Sequence, residues 1–287
     1  MMEIYTFSLK PTSDMERRRF ITNLSAALLL LNGQTLQAAD HLFNGRKRKL
    51  VRFVIGSDSH YGQKQTPYRE YLETAVSKIS AQHQLAPFDF AVINGDIVHD
   101  DISYFGEAKA ILDTLPVTYY VTQGNHDMAT PQQWEAAWNR PVNFDIRRGE
   151  VAMLFATTSN VKGEYLPPDL NWLESKFREY QGTRHILLFI HIPPVKFTAN
   201  AIESKAFIDL VGRQTNLRAV FHGHEHDKDS IIWHNNIPYI FDGHIGGSWG
   251  VQYRGFRVVE LYSDGALMTY MMDPAKKINS ELINTNQ

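Results

Sequence analysis

No cysteine occurs among the 287 residues of this chain. Disulfides, thiolate metal sites and cysteine nucleophiles are therefore excluded, while the redox compartment stays open because cytosol and export both tolerate a Cys-free protein. An excess of one charge sign is missing too. The 29 Lys and Arg residues face 31 Asp and Glu, for a formal net charge of −2, so no basic footprint calls for nucleic acid. Long apolar runs are scarce: Leu24–Leu31 falls far short of the ~20 residues that a spanning helix needs, and no stable membrane anchor is expected. With 43% hydrophobic and 12% aromatic residues, the chain has enough apolar side chain to bury a core, which argues against general disorder.

The first 45 residues read as a leader. From Met15, a basic cluster (Arg17, Arg18, Arg19) precedes the apolar run, and small residues follow at Ala38 and Ala39. This is the order of a bacterial export signal. Arg-Arg-x-Phe resembles a twin-arginine signal, with departures at Glu16 and Gln37. The expectation is export, to the periplasm. The alternative is an amphipathic N-terminal helix on a cytoplasmic protein.

Residues 46–273 are expected to form one domain. "VRFVIGSDSH" opens as a β-branched strand and breaks at Gly56. "YREYLETAVSKISAQH", "FGEAKAILDTL", "PQQWEAAWN" and "DLNWLESKFREY" carry helical spacing. They alternate with apolar strands in "FDFAVINGD", "VTYYVTQGN" and "HILLFIH". Beyond residue 215 strands dominate: "LRAVFHG", "SIIWHN", "IPYIFDG", "FRVVELY" and "ALMTYMM". A βαβ-like half followed by a β-rich half fits an α/β fold of two packed sheets with helices outside. Residues 274–287 read as a polar C-terminal tail.

Polar or ionisable residues collect where apolar strands stop. Asp58 and His60 follow the first strand, and Asp96 the second. Asn125, His126 and Asp127 follow the third, and His191 ends "HILLFIH". His222, His224 and His226 lie in "FHGHEHD". The carboxyl ends of strands in open α/β sheets face a common crevice, so five segments deliver side chains to one rim. Oxygen and imidazole donors without sulfur suit divalent Mn, Fe, Co, Ni or Zn, and are too rich in nitrogen for Ca or Mg alone. Seven donors exceed what one tetrahedral ion needs, and two ions sharing a carboxylate is the economical reading.

The blocks "DSH", "GD", "GNHD", "HIPP" and "GHEH", in this order, resemble the calcineurin-like metallophosphoesterase family over roughly residues 50–270. The chain looks most like the branch with Asn-His-Asp in the third block, which includes cyclic-nucleotide and glycerophosphodiester phosphodiesterases. The resemblance implies a four-layer αββα sandwich of two mixed sheets flanked by helices. It implies a first metal on Asp58, His60 and His226, and a second on Asn125, His191 and His224, with Asp96 bridging both. His126 matches the histidine beside the leaving group, and Asp127 the acid that orients it. The implied activity is hydrolysis of small phosphate esters, most of all diesters, by a metal-bridging hydroxide.

These residue types suit such chemistry. A bridging carboxylate holds two cations about 3.5–4 Å apart, where they lower the pKa of a shared water and meet the phosphoryl oxygens. A neutral Asn oxygen ligates without cancelling their charge. A general acid beside the leaving group contributes ~10²–10⁴ in rate. Three competing readings remain at this stage: a phosphomonoesterase, a nucleotide pyrophosphate hydrolase on the same site, and a non-catalytic metal-binding scaffold. Metal identity among Mn, Fe and Zn stays open.

Other candidates weigh less. His41, His83, His185 and His234 read as structural, and His222, Glu225 and Asp227 as support. His99 and His244 lie near the rim without an assigned role. Trp134, Trp138 and Trp172 read as core, whereas Trp249 and Tyr253, after a glycine cluster, are candidates for a substrate wall. Gly223 is expected to permit a tight backbone path. Pro193 and Pro194 either fix the direction of His191 or merely turn the chain.

Overall fold

The computed structural model describes residues 47–273 and 276–284, so the export segment read within residues 1–45 lies outside the described residues. The chain begins in one sheet, crosses to a second and returns. β1 (Lys49–Gly56), β2 (Phe90–Asn94) and β3 (Tyr119–Thr122) run parallel, and β10 (Phe256–Tyr262), β11 (Leu267–Asp273) and β12 (Lys276–Ile283) complete that sheet in the order β12-β11-β10-β1-β2-β3. β10 enters antiparallel to β1, with Phe53 opposite Val259. The second sheet, ordered β4-β5-β6-β7-β9-β8, comprises β4 (Phe144–Arg148), β5 (Val151–Ala156), β6 (His185–Ile190), β7 (Leu217–His222), β8 (Ile231–His234) and β9 (Ile237–Phe241). Its β5, β6, β7 and β9 are parallel, while the edge strands β4 and β8 are antiparallel.

Side-chain alternation sorts the layers. In β1, Phe53 and Ile55 point between the sheets, where they meet Phe155, Phe189 and Phe221, while Val54 points outward. That outer face is covered by α1 (Tyr68–Leu85), α2 (Phe105–Leu112) and α3 (Pro131–Trp138) through Leu72, Ile79, Phe105 and Trp134. The outer face of the second sheet takes α4 (Leu170–Glu179) and α5 (Lys205–Val211) through Leu173, Phe177, Phe207 and Leu210. The expected αββα sandwich is the observed one. Trp134 and Trp138 are core residues, and Trp172 packs partly buried on the second outer cluster.

The sheets interlock just below the rim. Phe155, Phe189 and Phe221 share a register across β5, β6 and β7 and stack face to face at 4.7 and 4.9 Å. Phe53 meets Phe189 and Phe221 edge-on from the opposite sheet, at 5.8 Å each, an offset geometry that aromatic rings favour. This fixes the height at which β1, β6 and β7 end, and so the height of the side chains that follow. The helices start at defined points. Thr130 and Gln133 form a capping box with Pro131 in the first turn of α3, and Asp169 and Ser204 cap α4 and α5.

One boundary is corrected. The stretch expected as a polar tail forms β12, paired antiparallel with β11 from Asp273–Lys276 to Leu267–Ile283. Its polarity reflects an edge position, with Ile283 buried in the inter-sheet core and Leu282 exposed; charged side chains on an edge also discourage pairing with other chains. Among the described residues, no helix is long and apolar enough to cross a membrane.

Candidate metal centre

All seven residues named as ligands follow strand ends on one rim: Asp58 and His60 after β1, Asp96 after β2, Asn125 after β3, His191 after β6, and His224 and His226 after β7. Four of them, Asp58, His60, Asp96 and His224, hold positive φ values of 57, 43, 51 and 68°. Non-glycine residues in this left-handed region are strained, and such strain concentrates at functional sites because it aims side chains where an extended strand cannot. Gly223 allows the close approach expected of it: a Cβ there would lie 2.7 Å from an Asp58 carboxylate oxygen and 2.8 Å from both the Asn94 carbonyl oxygen and His191 Nδ1, while the positive φ belongs to His224.

Three groups of donors result among the described residues, each with its ligand atoms within 4.8 Å of one another: Asp58, His60 and His226; Asp96, His191 and His224; and His60, His99 and His126, which shares His60 with the first. In the first, His226 Nε2 lies 3.1 Å from Asp58 Oδ1 and 3.0 Å from His60 Nε2. In the second, His191 Nε2 lies 3.1 Å from Asp96 Oδ2. Asp96 Oδ2 is also 3.8 Å from His60 Nε2, and Asp58 Oδ1 is 3.7 Å from His191 Nε2, so these two groups adjoin across the two carboxylates. The first of these groups holds the same three residues as the first ligand set implied by the resemblance, and the second holds His191 and His224 of the other set together with Asp96.

The donors fit divalent cations. Asn125 Oδ1 and His224 Nε2 are buried without a hydrogen-bond partner in the protein, and His191 Nε2 meets only carboxylates. Buried polar atoms are rarely left unpartnered, and these three are the atoms a second ion would take. Fields agree. Burial alone would raise the Asp58 carboxyl, but His226 and His191 beside it bring its pKa down to about 2. Asp96, despite burial, is lowered by His191 and His60. Burial disfavours a charged His191, yet Asp96 and Asp58 raise its pKa to about 10. Burial leads in lowering His60 to about 3 and His224 to about 4, keeping neutral imidazoles ready to ligate. Two dehydrated carboxylates draw positive charge to the point where the two groups meet.

The leaving-group candidates separate. His126 is 27% exposed in its side chain at the rim, its backbone N–H donates to Asp96 Oδ1 at 2.7 Å, and its ring lies 4.8 Å from that of His60. Asp127 does not orient it, contrary to the expectation from its place in "GNHD". Its carboxylate accepts the backbone N–H groups of Asp96, Ile97, Val98 and Gly124 at 2.8 to 3.1 Å, which ties the loops after β2 and β3 together. Burial and the charge of Asp96 push its pKa up to about 8, against the pull of those amides. The orienting acid is Asp100, whose Oδ1 lies 2.7 Å from His126 Nδ1. Sequence reasoning missed it. "HDD" held the signal, since a carboxylate just beyond "GDIV" follows the strand that delivers Asp96.

Around this centre the remaining candidates find places. His99 touches His60, with Nδ1 atoms 2.9 Å apart, and stacks on His126 at 4.7 Å. His222 is fully buried against Tyr239 and Phe241, with burial lowering its pKa to about 3, and it holds no site atom. His244 braces the glycine-rich loop through the carbonyls of Gly246 and Val251 and stacks on His226. Glu225 is buried and bonded to Thr198, and Asp227 lies near Lys228. His83 accepts from Phe88 N–H and His185 from Arg218, while the His234 ring packs near Phe197; all three are structural. His41 lies outside the described residues.

Of the two proposed wall residues only one stands free. Tyr253 is tied by its hydroxyl to Asp229. Trp249 is 44% exposed and stacks flat on His226 at 4.3 Å. A second exposed aromatic at the rim, unexpected from sequence, is Tyr165: it is 41% exposed and meets His224 edge-on at 4.8 Å.

Comparison with known proteins agrees with this geometry. A sequence model of the family described as calcineurin-like phosphoesterase matches residues 51–228. A protein of Arcobacter nitrofigilis named "Probable glycerophosphodiester phosphodiesterase GpdQ" is 26% identical over 170 residues, covering 52% of this chain and 60% of its own length. The chain thus spans less than two-thirds of that relative. A dimetal phosphatase from Danio rerio shares the fold with a TM-score of 0.67 at 13% identity, over 83% of this chain and 100% of that one. GAP50, described as the anchor in the inner membrane complex of Plasmodium, gives a TM-score of 0.61 at 14% identity, over 84% of this chain and 90% of its own. At these identities the two structures speak to fold alone.

Proposed function

Because the chain belongs to the calcineurin-like phosphoesterase family, we propose that it is a dinuclear-metal phosphodiesterase. The observation that carries the reading is the pair of adjoining donor groups with Asp96 between them, set beside the Asp100–His126 pair. Two ions of the Mn, Fe or Zn kind, when bound, supply the Lewis acidity that activates water and balances phosphoryl charge.

The chain's residues supply position and protons. Asp58, His60 and His226 would hold one ion, and Asn125, His191 and His224 the other, with Asp96 shared. The backbone N–H of His224 donates to Asp58 Oδ2 at 3.0 Å and so turns that carboxylate toward the centre. Asp100 accepts a hydrogen bond from His126 Nδ1–H, so that the protonated imidazole would give its Nε2 proton to a departing alkoxide. The choice of a diester over a monoester is supported by the name of the Arcobacter relative. The leader supports export to the periplasm.

The test is side-by-side hydrolysis of bis-p-nitrophenyl phosphate and p-nitrophenyl phosphate by Mn²⁺-reconstituted protein. The diester is expected to turn over with the higher kcat/KM, and chelation to abolish it. A monoester preference would contradict the diester assignment, and no turnover of either by metal-loaded protein would contradict the enzymatic one.

A further inference from the structure

His99 shares a donor group with His60 and His126, yet the family resemblance gives it no role. Its position explains a difference among the ligand histidines. A metal-ligating imidazole needs its other ring N–H bonded outward, because that bond fixes both tautomer and ring direction. His191 directs Nδ1 at the carbonyl of Asn94 at 2.7 Å, and His226 directs Nδ1 at the carbonyl of Trp249 at 3.1 Å. A carbonyl only accepts, so both rings carry a proton on Nδ1, which leaves Nε2 as the atom that would give its lone pair to an ion.

His60 has no such carbonyl; its Nδ1 lies 2.9 Å from Nδ1 of His99. Of two facing imidazole nitrogens, one must donate and the other accept. His60 Nε2 sits among Asp58, Asp96 and His226, where a ligand must offer its lone pair, so the proton of His60 belongs on Nδ1 and His99 Nδ1 is the acceptor. The remaining His99 proton then falls on Nε2, which lies 3.9 Å from Asp100 Oδ2. Asp100 thereby faces both His99 and His126. The His99 ring is further held in place by stacking on His126.

We propose that His99 is a positioning residue for the first ion: by accepting the Nδ1 proton of His60 it selects the tautomer that presents Nε2 to the metal. The inference rests on the two-ion reading of the site. It makes the first ion's affinity depend on one replaceable side chain, where His191 and His226 rely on backbone.

The test is calorimetric titration of metal-free protein with Mn²⁺, comparing wild type, His99→Leu and His99→Asn, with His60→Ala marking the step that belongs to the first ion. Asn places its Oδ1 near the position of a histidine Nδ1 and so keeps an acceptor; Leu does not. His99→Leu is expected to weaken the first-ion step by about 10–100-fold and to leave the other step within about threefold, while His99→Asn recovers most of the loss. Unchanged affinity in His99→Leu would overturn the proposal. Equal losses in both variants would also overturn it, since that pattern reports filled space and not an acceptor. A wild-type protein that binds fewer than two ions would overturn the two-ion reading itself, and the proposal with it.

Discussion

The two halves of the metal centre are built on different supports. The second half takes His191 from the end of β6, locked on the Asn94 carbonyl at the end of β2, and its donors Asn125 Oδ1 and His224 Nε2 are without protein partners. The first half is closed by loops. His60 leans on His99 in the loop after β2, and His226 on the Trp249 carbonyl in the glycine-rich loop after β9. Its donors meet one another at 3.0 and 3.1 Å, where the second half has the His191–Asp96 contact at 3.1 Å. A frame-borne half keeps its geometry when empty, whereas a loop-borne half must exchange internal contacts for the ion. The first half should therefore bind more weakly.

Each prediction breaks or sharpens that contrast. The largest effect belongs to the residue both halves share. Asp96→Asn should lower kcat/KM for a diester by about 10³-fold or more, while circular dichroism remains that of the wild type. Retained turnover would sink the bridging role. Next comes proton delivery on the side of the first half. His126→Ala should cost about 10²–10⁴-fold with an alkyl leaving group and far less with p-nitrophenolate. Asp100→Asn should show the same dependence on leaving group at smaller size, and equal losses for both substrates would refute its orienting role.

Asp127 should behave otherwise. Its removal leaves four buried amides without an acceptor, and Asp127→Ala should destabilise the fold by about 3 kcal/mol or more in urea denaturation. A loss of activity that depends on leaving group, with normal stability, would return Asp127 to the catalytic list. The smallest effects are expected at the walls. Trp249→Ala over the first half and Tyr165→Ala over the second should each raise KM for an aryl diester about 2–10-fold with little change in kcat, as a stacking contact would. No change in either would mean that the substrate does not touch them.

Much of this arrangement was legible because it is set by strand ends. "VRFVIG", "FAVIN" and "HILLFI" are apolar strands that stop at ionisable residues, and a side chain's place just past a parallel strand fixes the rim it reaches. Elements whose character depends on context were missed. "VAMLFA", the β5 strand, is a short continuous apolar run with no period of its own. α5 is only seven residues long, and β12 is polar because it is an edge. Roles set by contact across loops were equally hidden. Asp100 and Asp127 are both acids beside a rim histidine in sequence, and only the torsions of their loops decide that Asp100 meets the imidazole while Asp127 turns inward to four amides. Tyr165 carried no signal, because its approach to His224 depends on the course of the loop after β5.

The central claim is that diester hydrolysis requires both halves at once. Its most direct test is the rate of bis-p-nitrophenyl phosphate hydrolysis by metal-free protein as Mn²⁺ is added in measured equivalents. The account predicts a rate near background through the first equivalent, rising steeply as the second binds. Full activity at one equivalent, or activity indifferent to metal, would contradict it.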